Sequence, residues 1–426
     1  MLKAAGANIV EFDEKADIYI VNTCSVTNIA DKKSRQMLHR ARKMNPDGIV
    51  IAAGCYVQSA REILEQDEAI DIVISNNKKK SITEIVNDYI NVRNNGKNAP
   101  GKDHEAMEYF VDISRETEYE EMGGHVPVGH TRAYVKIQDG CNQFCSYCII
   151  PYVRGRIRSR SQEAILAEVS ELAEAGIKEV VLTGIHISSY GKDKNNEGAL
   201  IELIEAISKI KGIKRIRLGS LEPGIITEEF VERISSNSKV CPHFHLSLQS
   251  GCDSVLKRMN RKYTCKQYFE KCDMLRKAYK SPALTTDVIV GFPGETEEEF
   301  AETVRYLTEL NLYEMHIFKY SPRKGTVAAA MKEQVAPEIK NERSDVLLKL
   351  AHDNKTAYEA QFEGCELEVL VEEVVKKDNK TYLRGHTERY MDILIDVGDI
   401  SMPESFVNSF VYVTYTQNGG NLPLLL

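Results

Sequence analysis

The chain has 426 residues, enough for two or three domains. Acidic residues outnumber basic ones by 63 to 55, a net charge of −8, which argues against a general coat for nucleic acid and leaves room for a local basic groove. No apolar run is long enough to span a membrane, Met1-Leu2-Lys3-Ala4-Ala5-Gly6 lacks the apolar core of a signal peptide, and ten cysteines without a small disulfide-dense module suit a reducing cytoplasm.

Residues 1–92 read as a parallel α/β unit. Leu2-Lys3-Ala4-Ala5 looks like the end of a helix with Gly6 in the stop position, and Asn8-Ile9-Val10-Glu11-Phe12 looks like a strand. Ile18–Val21 is the next strand and runs into Asn22-Thr23-Cys24. A polar helical stretch, Asn28–Lys43, precedes a third strand, Ile49–Ala53, which runs into Gly54-Cys55. Ile70–Ile74 and a helical Ile82–Ile90 complete the alternation. Cys24 and Cys55 each follow a strand, at the sheet edge where open α/β folds bind ligands, so they either share a ligand or are two buried thiols. Residues 93–130 are polar and mixed in charge and read as a mobile or irregular linker.

Within a domain of residues 131–360, residues 131 to about 335 repeat a strand–helix unit. The expected strands are Ala133–Gln138, Glu179–Gly184, Arg215–Gly219, His243–Gln249, Thr285–Gly291 and Glu314–Tyr320. Between the first two, Ile165, Leu166, Val169, Leu172 and Ala173 share one helical face and Gly176 stops the helix; Thr296-Glu297-Glu298-Glu299 is a further helix start. Six such units suit an open, partial barrel with its mouth at the carboxyl ends of the strands. A charged helical stretch near Asn341–Ala360 follows. Residues 361–426 change to short strands, Leu367–Val371, Tyr382–Gly385, Asp392–Asp396 and Phe410–Tyr415, the pattern of a small β-barrel. Residues 364–426 hold ten acidic and five basic side chains, so bulk electrostatics do not support a strong grip on RNA, and a structural lid stands as the alternative.

The chemistry concentrates directly after the first barrel strand, in Gly140-Cys141-Asn142-Gln143-Phe144-Cys145-Ser146-Tyr147-Cys148. Cys141, Cys145 and Cys148, spaced C-x3-C-x2-C, bring three thiolates to one turn, and soft thiolates select zinc or iron–sulfur clusters. No fourth Cys or His follows at local spacing to close a structural zinc site. A cubane on three cysteines leaves one iron open. The bland alternative is three ordinary cysteines in a reduced core.

This loop resembles the signature of the radical-SAM enzymes, and its continuation Ile149-Ile150-Pro151-Tyr152-Val153-Arg154-Gly155-Arg156-Ile157-Arg158-Ser159-Arg160 resembles that of the methylthiotransferases, in particular the branch acting on threonylcarbamoyladenosine beside the tRNA anticodon, at position 37. The resemblance implies a flavodoxin-like N-terminal domain, a partial (β/α)6 radical-SAM barrel and a TRAM-like C-terminal β-barrel, the last at Leu383-Arg384-Gly385-His386-Thr387-Glu388. It implies one or two [4Fe–4S] clusters, S-adenosylmethionine, a low-potential electron donor, a sulfur source and a tRNA anticodon stem-loop as partners. Cys141, Cys145 and Cys148 would hold the first cluster. Tyr147 would lie against the nucleoside of the cofactor. Thr183, Gly184, Ser220, Glu222, Gln249, Asp287 and Ile289 sit at strand ends and would complete the cofactor pocket, with Gly184 giving close backbone approach to the methionine end. Arg154, Arg156, Arg158 and Arg160 form one basic strip, and Lys257, Arg258, Arg261 and Lys262 a second; both would hold RNA phosphates, unless they are solvated surface.

The family uses three N-terminal cysteines for a second cluster. Cys24 and Cys55 correspond to two of them, and the first, expected in a Leu-Gly-Cys context, has no counterpart. The expectation is therefore a chain shortened at its start, lacking a first strand. Other readings are a methylthiotransferase acting on isopentenyladenosine in tRNA or on a ribosomal-protein aspartate, an inactive RNA- or cluster-binding derivative, and a structural zinc protein.

Overall fold

A computed structural model describes residues 2–25, 27–94, 109–123, 131–378, 380–398, 402–416 and 419–421. The chain folds as two compact units that do not follow chain order. The first comprises Met1–Gly123, Asp139–Arg158 and Ser321–Met331; the second comprises Gly124–Gln138, Ser159–Tyr320 and Lys332–Leu426.

The first unit is built on three parallel strands, β1 (Ile18–Thr23), β2 (Ile49–Gly54) and β3 (Ile72–Ile74), in that spatial order. Every residue of β2 is buried, as an inner strand requires, whereas β1 lies at the edge and alternates. The helix Asn28–Met44 starts at Thr27, whose side chain accepts from the Ala30 N–H, and buries Leu38 and Ala41 against the sheet. Helix Ile82–Asn94 covers the other face through Ile85, Val86 and Tyr89. Gly6 does end a short 3-10 turn, Lys3–Ala5, in the left-handed region at φ 89°. The strand expected at Asn8–Phe12 does not form: Ile9 is 54% exposed and Val10 38%, while Phe12 packs against the Tyr19 ring. Part of the expected linker lies outside the described residues. The described stretch 109–123 is irregular but packed, with Ile113 at 2% exposure, Arg61 over the Phe110 ring and the Ser75 N–H donating to the Tyr109 carbonyl.

The second unit begins with β4 (Arg132–Asp139); β5 (Arg158–Ser159) is a two-residue strand on its outer side. Parallel strands β6 (Glu179–Gly184) and β7 (Arg215–Leu218) follow, and β8 (His243–His245), β9 (Ala283–Val290) and β10 (Glu314–Lys319) form a second parallel sheet. A parallel bridge, Leu221 to Leu246, joins the two sheets into a six-stranded half-barrel. Helix starts are capped where the sequence places Ser or Thr: Ser161, Thr227, Thr264 and Thr296, the last two with reciprocal Gln267 and Glu299. Gly176 ends its helix at φ 90°. Val135, Val180, Leu182, Ile216, Phe244, Leu246, Val288 and Met315 point outward from the half-barrel into one large core under the helices.

The alternate residues of the same strands point inward, by the two-residue period of a strand. At the amino ends this inner face is closed by Arg132, Glu179, Arg215, Arg217 and His243, and at the carboxyl ends His245, Asp287, His316 and Phe318 stay accessible. The C-terminal strands, β11 (Glu366–Lys377), β12 (Lys380–Thr387), β13 (Asp392–Asp396), β14 (Phe410–Thr416) and β15 (Gly419–Asn421), close into a barrel in the order β11-β12-β13-β15-β14. This barrel packs on strand starts. Arg215 donates to the carbonyls of His386 and Glu368, Arg217 to those of Glu388 and Thr387, and Tyr390 lies 5.2 Å from the His243 ring. It therefore caps the amino end of the half-barrel and is not a lid over the carboxyl ends.

Candidate active site

In the first unit, β1 and β2 run in register with Thr23 opposite Gly54, so Cys24 and Cys55 leave neighbouring strand ends. Gly54 makes this possible: at φ 105° a Cβ there would meet the Thr23 carbonyl oxygen at 2.4 Å. Cys24 is exposed and Cys55 buried. Cys55 packs with Ile149 and Val153, on and beside the short helix Ile150–Val153 that follows Cys148. Arg154 Nε donates to Cys55 Sγ at 3.0 Å, and its Nη1 reaches Asp139 Oδ2 at 3.3 Å. Asn76, 2% exposed, donates to the Val153 carbonyl at 2.8 Å.

The three-cysteine turn is held by its backbone. Gly140 sits at φ 73°, where a Cβ would lie 1.7 Å from the Arg156 carbonyl oxygen, so no other residue fits. The Cys141 N–H donates to the Gly155 carbonyl at 3.0 Å, the Cys148 N–H to Cys145 at 2.9 Å, and the Gln143 N–H points at Cys141 Sγ at 3.4 Å. Phe144 takes the left-handed region at φ 49°, with Arg156 over its ring at 4.6 Å. Segment Ser321–Met331 completes the unit. The Ala328 N–H donates to the Ser146 carbonyl, and Arg323 reaches Asn28 and Asp31 on the first helix, each at 2.7 Å. That brace was not legible in the sequence, because its partners lie almost 300 positions apart.

None of the ten cysteines is in a disulfide. Three cysteines outside any disulfide on one backbone-locked turn are a soft donor set that fits a cubane with one open iron. Cys24 and Cys55 are the only cysteines in residues 1–75. No chemical step is assigned to these two thiols.

In the second unit, Glu222 is the anchor of a polar cluster. It accepts from Arg261 at 2.9 and 3.0 Å and faces His186 Nε2 at 3.3 Å. Burial alone would raise its carboxyl pKa, but the hydrogen bond from His186 and the charge of Arg261 together hold it below the usual carboxylate value. Ser220, exposed, bonds Ser247 at 2.8 Å. Thr183 and Gly184 are half-buried, and a Cβ on Gly184 would lie 2.9 Å from the Gln138 carbonyl, so close packing of β4 on β6 by itself requires that glycine. Gln249 has φ 76° and is tied by main-chain bonds to Asp287 and Ile289. Asp287 is held between His245 and His316. Neither these histidines nor His186 was singled out from the sequence, although the alternation His243, His245 was the available signal.

The two basic strips need correction. Arg158 is 1% exposed, with its guanidinium 3.8 Å from Asp139, and Arg160 is 5% exposed and paired with Glu168. Arg154 is committed to Cys55 and Asp139, Arg261 to Glu222, and Arg258 to Glu299 at 2.6 Å. Arg156, Lys257 and Lys262 remain exposed. Tyr147 is half-buried.

A parallel half-barrel whose first strand runs into a C-x3-C-x2-C turn defines a radical-SAM enzyme, and residues 135–307 match the Radical SAM superfamily. Residues 1–75 match an uncharacterized protein family, UPF0004. The chain is 39% identical over 395 residues to the threonylcarbamoyladenosine tRNA methylthiotransferase MtaB of Bacillus subtilis, covering 92% of this chain and 85% of the relative. It is 37% identical to the MtaB of Aquifex aeolicus (91% and 92% covered) and 36% identical to the tRNA-2-methylthio-N(6)-dimethylallyladenosine synthase of Thermoanaerobacter pseudethanolicus (98% and 86% covered). The fold is shared with the radical S-adenosylmethionine methyltransferase TsrM from Kitasatospora setae, at TM-score 0.56 and 15% identity, over 74% of this chain and 66% of that one. The chain belongs to the radical-SAM methylthiotransferase family and uses a [4Fe–4S] cluster and S-adenosylmethionine. Among the described residues no helix is long and apolar enough to cross a membrane.

Proposed function

We propose that this enzyme transfers a methylthio group to carbon 2 of N6-threonylcarbamoyladenosine at position 37 of tRNA, next to the anticodon. The observation that carries the reading is the locked turn of Cys141, Cys145 and Cys148 in a chain 39% identical to a relative named for that reaction. Held by Cys141, Cys145 and Cys148, a cluster with S-adenosylmethionine would supply the radical chemistry that replaces the hydrogen on carbon 2, with the electron from an external low-potential donor, the sulfur from an external sulfur source and its methyl group from a second S-adenosylmethionine.

The protein's own residues bind and orient. In the first unit Cys141, Cys145 and Cys148 hold the cluster, Tyr147 lies against the cofactor's nucleoside, and Cys24 and Cys55 mark the side where sulfur arrives. In the second unit Thr183, Gly184, Ser220, Glu222, Gln249 and Ile289 line the cofactor side at the carboxyl ends of the strands, and Asp287, expected with them, is engaged by His245 and His316. On the second unit Lys257 and Lys262 are exposed cations available to RNA phosphates, and on the first unit Arg156 is exposed. The cytoplasm, where tRNA and reduced thiols are found, is the expected compartment.

The test supplies the reconstituted enzyme with anticodon stem-loops bearing either threonylcarbamoyladenosine or dimethylallyladenosine and measures the methylthio nucleosides by mass spectrometry. Product on the first substrate supports the reading. Product on the second alone moves the chain to the dimethylallyl branch, and 5′-deoxyadenosine with neither product overturns the tRNA assignment.

A further inference from the structure

On the accessible inner face of the half-barrel, β8, β9 and β10 each present one side chain to a common point. His245 Nε2 lies 3.4 Å from Asp287 Oδ2, and His316 Nδ1 lies 3.1 Å from Asp287 Oδ1. One donor atom from each of the three residues falls within 4.8 Å of the others. The side chains are graded in exposure from 14% for His245 through 31% for Asp287 to 53% for His316, so the cluster is buried on one side and open on the other.

We propose that His245, Asp287 and His316 form a binding site for a divalent transition-metal ion of the zinc class. Distance is the first argument. Metal–nitrogen and metal–oxygen bonds of about 2.0–2.2 Å at a tetrahedral angle put two ligands of one ion roughly 3.3 Å apart. The His245 separation matches that value and is longer than the usual N–H···O hydrogen bond, while the His316 separation, 3.1 Å to the other carboxylate oxygen, is at hydrogen-bond length and would open slightly around an ion.

Orientation is the second. His245 Nδ1 bonds Thr285 Oγ1 at 3.0 Å, and Thr285 is 2% exposed. That bond fixes the ring and leaves Nε2 toward Asp287, the arrangement in which the second nitrogen of a metal-binding histidine is held by an outer partner.

Register is the third. His316 stands directly opposite Asp287, and His245 directly opposite Thr285, two residues earlier on the same strand as Asp287. The donors are thus set by three adjacent hydrogen-bonded strands and not by a loop, which lowers the cost of assembling them.

The donor set selects the ion. Two imidazoles and one carboxylate suit zinc and its first-row neighbours, whereas calcium and magnesium take oxygen. Three protein ligands leave at least one position open, and here it lies on the exposed His316 side.

The test uses the cluster-loaded enzyme, in which Cys141, Cys145 and Cys148 are occupied. It is equilibrated anaerobically with ZnSO4, desalted, and analysed for zinc per chain by mass spectrometry, with affinity from calorimetric titration. Cys365→Ser serves as the background, because Cys365 is an exposed thiol elsewhere. In that background one zinc per chain is expected. His245→Ala and His316→Ala should each weaken its binding at least tenfold, with the cluster absorbance and thermal unfolding profile of the parent retained. Zinc-edge absorption should show a nitrogen and oxygen shell without sulfur. A background chain that binds no zinc, histidine variants that bind as well as the parent, or a sulfur-dominated shell would each overturn the site and leave a hydrogen-bonded His–Asp–His triad.

Discussion

Replacing Glu179 by Ala tests how the C-terminal barrel is fastened to the half-barrel. Glu179 is 1% exposed and accepts from Arg217 Nε at 2.8 Å and Nη2 at 3.3 Å, while Arg215 stands 3.8 Å away. Both arginines are at most 5% exposed, and both reach across to barrel carbonyls. Removing the carboxylate leaves a buried guanidinium without its counter-charge, a loss of about 3–5 kcal/mol. The loss should fall on the attachment of β11–β14 rather than on the whole chain, since Glu179 faces the inner side of its strand while its neighbour Val180 faces the large core. Amide hydrogen exchange in those strands is the assay, because an iron–sulfur protein of several parts is a poor two-state unfolder. The same energy corresponds to exchange faster by roughly two to four orders of magnitude where detachment opens the amides. Double replacement, Glu179→Leu with Arg217→Met, removes both charges and should cost less than the sum of the two single changes. Wild-type exchange in the Glu179→Ala protein would refute the argument.

The same residue sets a pH expectation. Burial would raise the Glu179 pKa, but Arg217, Arg215 and Arg132 outweigh it, so the folded value lies below the ordinary 4.5. A depressed carboxyl contributes stability that is complete above its unfolded pKa and is lost as pH falls through the folded one. Barrel attachment should therefore be flat with pH at neutrality and weaken only below about 4.5, and this acid limb should shrink in Glu179→Gln.

Three further outcomes are expected. Cys145→Ala should abolish release of 5′-deoxyadenosine, because a cubane short of one of three ligands is poorly held; normal release would sink the assignment. Lys257→Ala with Lys262→Ala should weaken binding of an anticodon stem-loop and flatten its salt dependence by up to about two phosphate contacts, leaving uncoupled cofactor cleavage intact; unchanged affinity at low salt would mark both as solvated surface. Arg158→Ala, in contrast, should lower stability by about 2–4 kcal/mol and give little soluble protein, since Arg158 is buried beside Asp139; a well-folded variant with only a tRNA defect would reverse that reading.

Much of the architecture was legible because strand and helix periods are local. The six half-barrel strands fall at or within a few residues of their expected positions, and β8 is shorter only because its carboxyl extension continues as single bridges, Leu246 to Leu221 beyond β7 and Gln249 to Val288 on β9. Thr296-Glu297-Glu298-Glu299 announced its helix start for the same reason. The strand expected at Asn8–Phe12 failed because a short apolar run needs a neighbouring strand to pair with, and periodicity says nothing of neighbours. The two-residue β5 and the terminal β15 carry too little pattern to be seen.

Charge is where sequence is least informative, and the arginines show why. Arg154, Arg156, Arg158 and Arg160 alternate along one stretch and look equivalent. Folded, they have four environments: a thiol and Asp139, the Phe144 ring, a buried pocket beside Asp139, and Glu168. A guanidinium costs several kcal/mol to bury unpaired, so its location follows the nearest carboxylate, and carboxylates such as Asp139 or Glu222 are brought close by the fold, not by sequence spacing. Arg215 and Arg217 make the converse case. As members of a strand they drew no notice, yet their alternation with Ile216 and Leu218 turns both toward Glu179 and the C-terminal barrel. Two like charges at i and i+2 in an otherwise apolar buried strand therefore indicate an anion or a ring of carbonyls on that face, and here the structure supplies both.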